Sequence, residues 1–181
     1  MIYLIGGAPR TGKSLMAQKI ITTNPMPYLS CDFLYELRQV KDIDGFSGAD
    51  IIAKGRLFYL TLKELLVDVS RRTQDCVIEG EVILPEFIPE LAKKYDIRCC
   101  FIGISSTSLD NILKYAGYFN WPQWKLDNDL AREVKDLAAL TVSRSSIIQA
   151  QANEYNQPYF DLAGDYTAQM ELAIHSLLAD L

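Results

Sequence analysis

The chain opens on a continuous apolar run, Met1 to Ile5, closed by Gly6-Gly7. Apolar residues at every position, not at alternate ones, predict a central strand buried on both faces. From about Gly12 the period changes. Leu15, Met16, Ile20 and Ile21 recur at helical spacing until Asn24-Pro25 stops them. Pro27 to Cys31 reads as a second strand, with Asp32 at its carboxyl end. Ser47 to Arg72 is helical again through Ile51, Ile52, Leu57, Phe58, Leu62, Leu65, Leu66 and Val69, and Gly55 is a candidate break into two helices. Cys76 to Glu79 predicts a third strand. Pro85 to Tyr95 predicts a helix whose first turn Pro89 limits, and Ile97 to Ile104 a fourth strand.

Residues 105 to 130 keep no sustained period, which marks a long functional excursion. Leu130 to Asn153 is strongly helical, Pro158 to Leu162 predicts a fifth strand, and Thr167 to Leu181 closes as an amphipathic helix on Met170, Leu172, Ile174, Leu177 and Leu178. Repeated strand–helix alternation implies right-handed crossovers and an α/β fold, a parallel sheet covered by helices on both faces. Internal repeats, low-complexity tracts and interdomain linkers are absent from the sequence, so 1–181 is expected to form one domain. Ligands of such sheets sit beyond the carboxyl ends of the strands, here at Gly6, Asp32, Glu79 and Ser105.

Composition narrows the chemistry. With 181 residues, 49% hydrophobic and 23% charged, the chain suits a globular protein with one full core. Eighteen Lys and Arg against 23 Asp and Glu leave a net charge of −5, which disfavours nucleic acid and anionic membranes as partners. His175 is the single histidine, which rules out His-rich zinc sites and weighs against Ser-His-Asp or Cys-His mechanisms. Carboxylates, Lys, Arg, hydroxyls and backbone must carry the reaction. Cys31, Cys76, Cys99 and Cys100 show no C-x-x-C spacing and fall mostly in apolar runs, as buried thiols do. MIYLIGG has no basic leader, and no window approaches the ~20 apolar residues of a membrane span. The expectation is a cytoplasmic protein with reduced cysteines.

Gly7-Ala8-Pro9-Arg10-Thr11-Gly12-Lys13-Ser14 matches G-x-x-x-x-G-K-[ST] between a predicted strand and a predicted helix. Glycines let the backbone curl so that consecutive N–H groups face inward, and the helix start that continues into Leu15 adds its positive dipole end. Both favour the phosphates of a nucleotide. Lys13 can bridge β- and γ-phosphate oxygens, and Ser14 can offer its hydroxyl to Mg2+.

On this motif and its place in the chain the sequence resembles the small P-loop kinases of metabolites and nucleotides, among them adenylate, shikimate, gluconate and 2-phosphoglycerate kinases. The resemblance covers nearly the whole chain. It implies a three-layer P-loop NTPase fold with a five-stranded parallel sheet and a helical lid. It also implies ATP and Mg2+ as cofactors, a small-molecule phosphoryl acceptor, an acceptor-binding helical segment at about 33–72 and an arginine-bearing lid at about 105–145. An adenine loop would follow the last strand, near Gly164. Arg10 stands where many nucleotide kinases have glycine.

Asp32 can orient an acceptor hydroxyl and take its proton, and similar kinases place a carboxylate after their second strand; it can also serve as a helix N-cap. Glu79 is the favoured metal-side acid, with an I-E-G strand end like that of the 2-phosphoglycerate-kinase group. Glu81 either shares its face, if the strand runs on to Ile83, or is a solvated loop residue. Arg132 and Arg144 are the lid candidates to contact the transferring phosphoryl group. Twelve residues apart, they lie ~18 Å from one another on a straight helix, too far for one pocket unless the helix breaks. Arg56 and Arg71-Arg72 are either acceptor contacts or solvated helix charges. Tyr115, Tyr118, Phe119, Trp121 and Trp124 form either an aromatic lid or a packed loop. Asp165 or Thr167 is expected to cap the last helix, and His175 to be structural. The function expected is phosphoryl transfer from ATP to a small metabolite or nucleotide. The alternative is a P-loop ATPase acting as a regulator without a small acceptor, against which stand the absent N-K-x-D and ABC-type signatures.

Overall fold

The computed structural model describes residues 1–36, 50–72, 75–106 and 128–179. Its strands are β1 (Ile2–Gly7), β2 (Tyr28–Ser30), β3 (Cys76–Glu79), β4 (Ile97–Gly103) and β5 (Tyr159–Asp161). Helices α1 (Lys13–Thr23), α2 (Cys31–Glu36), α3 (Ile51–Arg71), α4 (Ile88–Leu91), α5 (Asn128–Glu154) and α6 (Tyr166–Leu178) connect and cover them. All neighbouring strands are parallel, in the order β2-β3-β1-β4-β5.

Period-two alternation along β1 divides the core into two layers. Ile2 and Leu4 face one side, where Ile78 and Phe101 join Phe58, Leu62 and Leu66 of α3 and Ile148 of α5. Tyr3 and Ile5 face the other, with Val77, Cys100 and Ile102, against Met16, Ala17 and Ile20 of α1 and Met170, Ala173 and Leu177 of α6. Burial of the strand on both faces is why its sequence is an uninterrupted apolar run. Among the described residues no helix is long and apolar enough to cross a membrane.

Three details depart from the periodic expectation. Gly55 does not break α3, which is continuous; it is buried where a Cβ would lie 2.5 Å from Leu84 Cγ and 3.0 Å from the Val82 carbonyl oxygen. The glycine serves close packing of α3 on the chain leaving β3. Pro85 to Tyr95 is not one helix but a 3₁₀ turn, Pro85–Phe87, followed by the four-residue α4. Pro89 has no N–H to give the Pro85 carbonyl, so the Ile88 N–H bonds that oxygen instead and the helix tightens. Leu172, assigned to the apolar stripe of the last helix, is 53% exposed.

Strand registers bring the functional ends level. Glu79 pairs with Ser30 of β2 on one side and Ile5 of β1 on the other. Asp32 follows two residues beyond Ser30, and Gly6-Gly7 lead out of β1. Both therefore emerge at the same edge as Glu79.

Candidate active site

The turn between β1 and α1 has the backbone that its sequence demands. Gly7 has φ 142° and Gly12 φ 102°, values that L side chains rarely adopt. A Cβ on Gly7 would also meet the Ile102 carbonyl oxygen at 2.1 Å. Arg10 has φ 62°, in the left-handed region. That conformation is a physical reason for a glycine at this position, and here an arginine tolerates it. Gly12 caps α1 without any side-chain hydrogen bond, so the first N–H groups of the helix are left to face an incoming anion.

Inside the turn, Lys13 is 5% exposed and donates from Nζ to the Ala8 carbonyl at 2.9 Å. Thr11 donates to the same oxygen at 2.8 Å. Neighbouring elements brace the turn: Thr141 of α5 donates to the Pro9 carbonyl at 3.3 Å, and the Tyr166 hydroxyl to the Thr11 carbonyl at 3.4 Å.

Opposite Ser14 lies Glu79, fully buried. Its Oε1 accepts from the Ser14 hydroxyl at 3.2 Å and from the Tyr28 hydroxyl at 2.9 Å. Among the described residues Oε2 is buried with no partner, and so is Asp32 Oδ1. Asp32 lies in the first turn of α2, one residue inside the helix, and is not its N-cap. Burial raises the Cys31 thiol well above its ordinary value, the charges of Glu79 and Asp32 raise it further, and Lys13 opposes them.

Unpartnered carboxylate oxygens beside a serine hydroxyl are hard donors, the kind Mg2+ takes while keeping several waters and phosphate oxygens in its shell. Ser14 and Glu79 therefore fit that ion. Among the described residues no three His, Cys, Asp or Glu side chains are grouped to hold a metal by themselves. Such a sparse protein shell is usual for Mg2+ carried in with a nucleotide.

Glu81 is not a solvated loop residue. The strand ends at Glu79, yet Glu81 is 6% exposed and lies between Lys54 Nζ of α3, at 3.6 Å, and Arg144 Nη1 of α5, at 3.2 Å. Arg144 comes one turn after Thr141, whose contact with Pro9 puts that face of α5 beside the phosphate turn.

Comparison with solved structures identifies the fold. Over 100% of this chain and 99% of that one, it is similar to shikimate kinase from Bacteroides thetaiotaomicron, with a TM-score of 0.60 at 16% identity. A sugar kinase from Janibacter sp. HTCC2649 matches over 97% of this chain and 93% of its own, with a TM-score of 0.55 at 12% identity. The chain has the fold of the small P-loop kinases. A gluconokinase from Sinorhizobium meliloti 1021 has the same P-loop kinase fold, with a TM-score of 0.51 at 12% identity, covering 98% of this chain and 91% of that one. No family model matches the sequence, and comparison with curated proteins finds no match.

The remaining candidates distribute unevenly around this P-loop kinase fold. Gly164 follows β5, and a Cβ there would meet nothing within 4 Å, so the turn borders open space. Beside it Asp161 Oδ1 accepts from the backbone N–H groups of Ser105 and Ala163, each at 3.0 Å. Partial burial works to raise that carboxyl, but the hydrogen bonds from Ser105 and Ala163 outweigh it and hold the group below its ordinary value. Asp165, not Thr167, caps α6 by accepting from the Ala168 N–H at 3.0 Å. His175 is exposed on that helix. Arg56 forks onto Glu86 at 2.8 and 2.9 Å with 63% of its side chain exposed. Arg71 is exposed near Asp68. Arg132 lies on the continuous helix α5, which separates it from Arg144, and its side chain is outside the described residues. So are Tyr115, Tyr118, Phe119, Trp121 and Trp124. Sequence patterns passed over Tyr28 as a functional residue; a hydroxylated aromatic at a strand end level with an acid was the signal available.

Proposed function

We propose that the protein is an ATP- and magnesium-dependent phosphotransferase that moves the γ-phosphoryl group to a hydroxyl or phosphate of a small metabolite or nucleotide. The observation that carries this is Glu79 Oε2, buried without a partner beside the Ser14 hydroxyl at the mouth of an intact phosphate turn. Leaving a charged oxygen unsatisfied in the interior is costly, and a bound cation removes that cost.

In this proposal the backbone N–H groups between Gly7 and Leu15, all but that of Pro9, which has none, cradle the β-phosphate. Lys13 exchanges the Ala8 carbonyl for phosphate oxygens, needing only side-chain rotation. When bound, Mg2+ would neutralise charge on the β- and γ-phosphates. Asp32 orients the acceptor hydroxyl and receives its proton as the new O–P bond forms and the bridge to ADP breaks. Arg144 keeps guanidinium donors beyond the one given to Glu81 and presents them toward the migrating phosphoryl group, with Arg132 a second, more distant lid contact. The turn at Gly164 receives the adenine ring. Similarity of fold to shikimate kinase, gluconokinase and a sugar kinase supports a small-molecule acceptor.

An ATP-consumption screen over nucleosides, nucleoside monophosphates, sugar acids and phosphorylated metabolites, with and without Mg2+, tests the proposal. One acceptor class should stimulate magnesium-dependent turnover. Lys13→Ala should remove that turnover by at least ~10²-fold while the protein stays folded, because the lysine supports no core packing. Wild-type activity in a folded Lys13→Ala protein would sink the proposal.

A further inference from the structure

β2 is three residues long, and its first side chain leaves the apolar layer at its tip. The Tyr28 ring packs against the layer that contains Tyr3, Ile5, Met16 and Val77, while its hydroxyl donates to Glu79 Oε1 at 2.9 Å. A phenol is ordinarily protonated across the physiological range, so this hydroxyl is a permanent donor. Among the described residues the other group anchoring this carboxylate is the Ser14 hydroxyl, on the same oxygen at 3.2 Å. The two anchors differ in kind. Ser14 belongs to the turn after β1 and would itself serve the proposed cation, whereas the tyrosine is fixed to a strand by its ring.

The terminal torsion of a glutamate is broad and nearly twofold, so covalent attachment to β3 does not decide which oxygen faces the cation position. A donor fixed from one side does decide it. We propose that Tyr28 is a positioning residue that locks Glu79 with Oε2 toward the cation position and thereby sets the magnesium affinity of the nucleotide site. The inference rests on the function proposed above. Tyr28 touches neither nucleotide nor acceptor in this scheme and acts only through Glu79, as outer partners of metal ligands do.

Tyr28→Phe keeps the ring in its layer and deletes the donor. Calorimetric titration with ADP, first without metal and then over a MgCl2 series, separates the two roles this side chain could have. Metal-free ADP should bind the variant within about twofold of wild type, while the Mg2+ concentration that half-maximally tightens binding rises roughly 10- to 100-fold. In a Glu79→Gln background, Tyr28→Phe should add nothing to the magnesium dependence. A magnesium series that superimposes on wild type overturns the positioning role. So does an equal loss of ADP affinity with and without metal, which would make Tyr28 a packing residue. If wild type itself shows no magnesium-dependent tightening, the proposed function falls together with this inference, an outcome distinct from failure of the variant alone.

Discussion

Glu79 and Glu81 leave the same strand end two residues apart, and both are buried, at 0% and 6% exposure. Their electrostatic situations are opposite. Glu81 has a cation on each oxygen, Lys54 at 3.6 Å and Arg144 at 3.2 Å, so its charge is compensated within the protein. Among the described residues Glu79 has only neutral donors, Ser14 and Tyr28, both on one oxygen. Its other oxygen, and Asp32 Oδ1, have no partner. A compensated cluster ties elements together, here α3, the exit of β3 and α5. An uncompensated one is a place where folding has left electrostatic work for a ligand. Burial alone does not separate these roles; the inventory of partners does.

The largest effect that this contrast predicts is at Asp32. Asp32→Asn keeps the shape and removes a charge that no described group neutralises. Acceptor phosphorylation should fall by at least ~10²-fold, from loss of the proton acceptor, with ATP affinity little changed. Thermal stability should hold or rise, because a charge whose Oδ1 is buried without a partner among the described residues has been deleted. Steady-state kinetics beside a melting curve would check both halves. A clear drop in melting temperature would mean that Asp32 supports the fold, and the contrast with Glu81 would be lost.

A smaller effect on turnover and a larger one on stability should come from Glu81→Gln. Amide for carboxylate leaves Lys54 and Arg144, each 18% exposed in its side chain, without their shared counter-charge. Removing one member of a buried ion cluster costs about 3 kcal/mol. Turnover should fall by roughly tenfold, since Arg144 loses the group that orients it but keeps its charge. Denaturant unfolding and kinetics on the same preparation give the comparison. Full stability with turnover reduced as far as in Asp32→Asn would move Glu81 from strut to chemistry.

What the sequence made legible, and what it did not, follows the same division. The phosphate turn is contiguous, so the eight residues of its motif specify its backbone, including the positive φ of Gly7 and Gly12. The central strands β1 and β3 were legible because two-sided burial leaves apolar runs, and the registers then carry Asp32 and Glu79 to one edge. The fate of Glu81 was hidden because its partners lie 27 and 63 residues away and on different helices. Tyr28 was hidden for the same reason, 51 residues from Glu79. Gly55 misled because a helix-interior glycine reads as a break unless one knows that Leu84 presses against it. Local chemistry is written locally, whereas charge compensation is a property of the assembled fold.

The smallest expected effect belongs to Arg56, a candidate acceptor contact by its position in α3. Its fork onto Glu86 has good geometry, at 2.8 and 2.9 Å, and so at first sight resembles the pairing of Arg144 with Glu81. Exposure separates them: 63% of the Arg56 side chain is in solvent, against 18% for Arg144. On Arg56 the hydrogen bond to Glu86, then the charge of that carboxylate, raise the guanidinium, so it stays cationic. Water and salt screen a pair of this kind, and its loss is mostly absorbed by hydration. Arg56→Ala should leave acceptor KM and kcat near their wild-type values and shift the melting temperature by no more than about 1–2 °C. Comparing the variant at low and at 0.5 M salt sharpens the point, since whatever small shift exists should vanish at the higher salt. An acceptor KM raised tenfold with ATP affinity intact would instead put Arg56 in the acceptor site, and the partner on Glu86 would be a resting arrangement that the acceptor displaces.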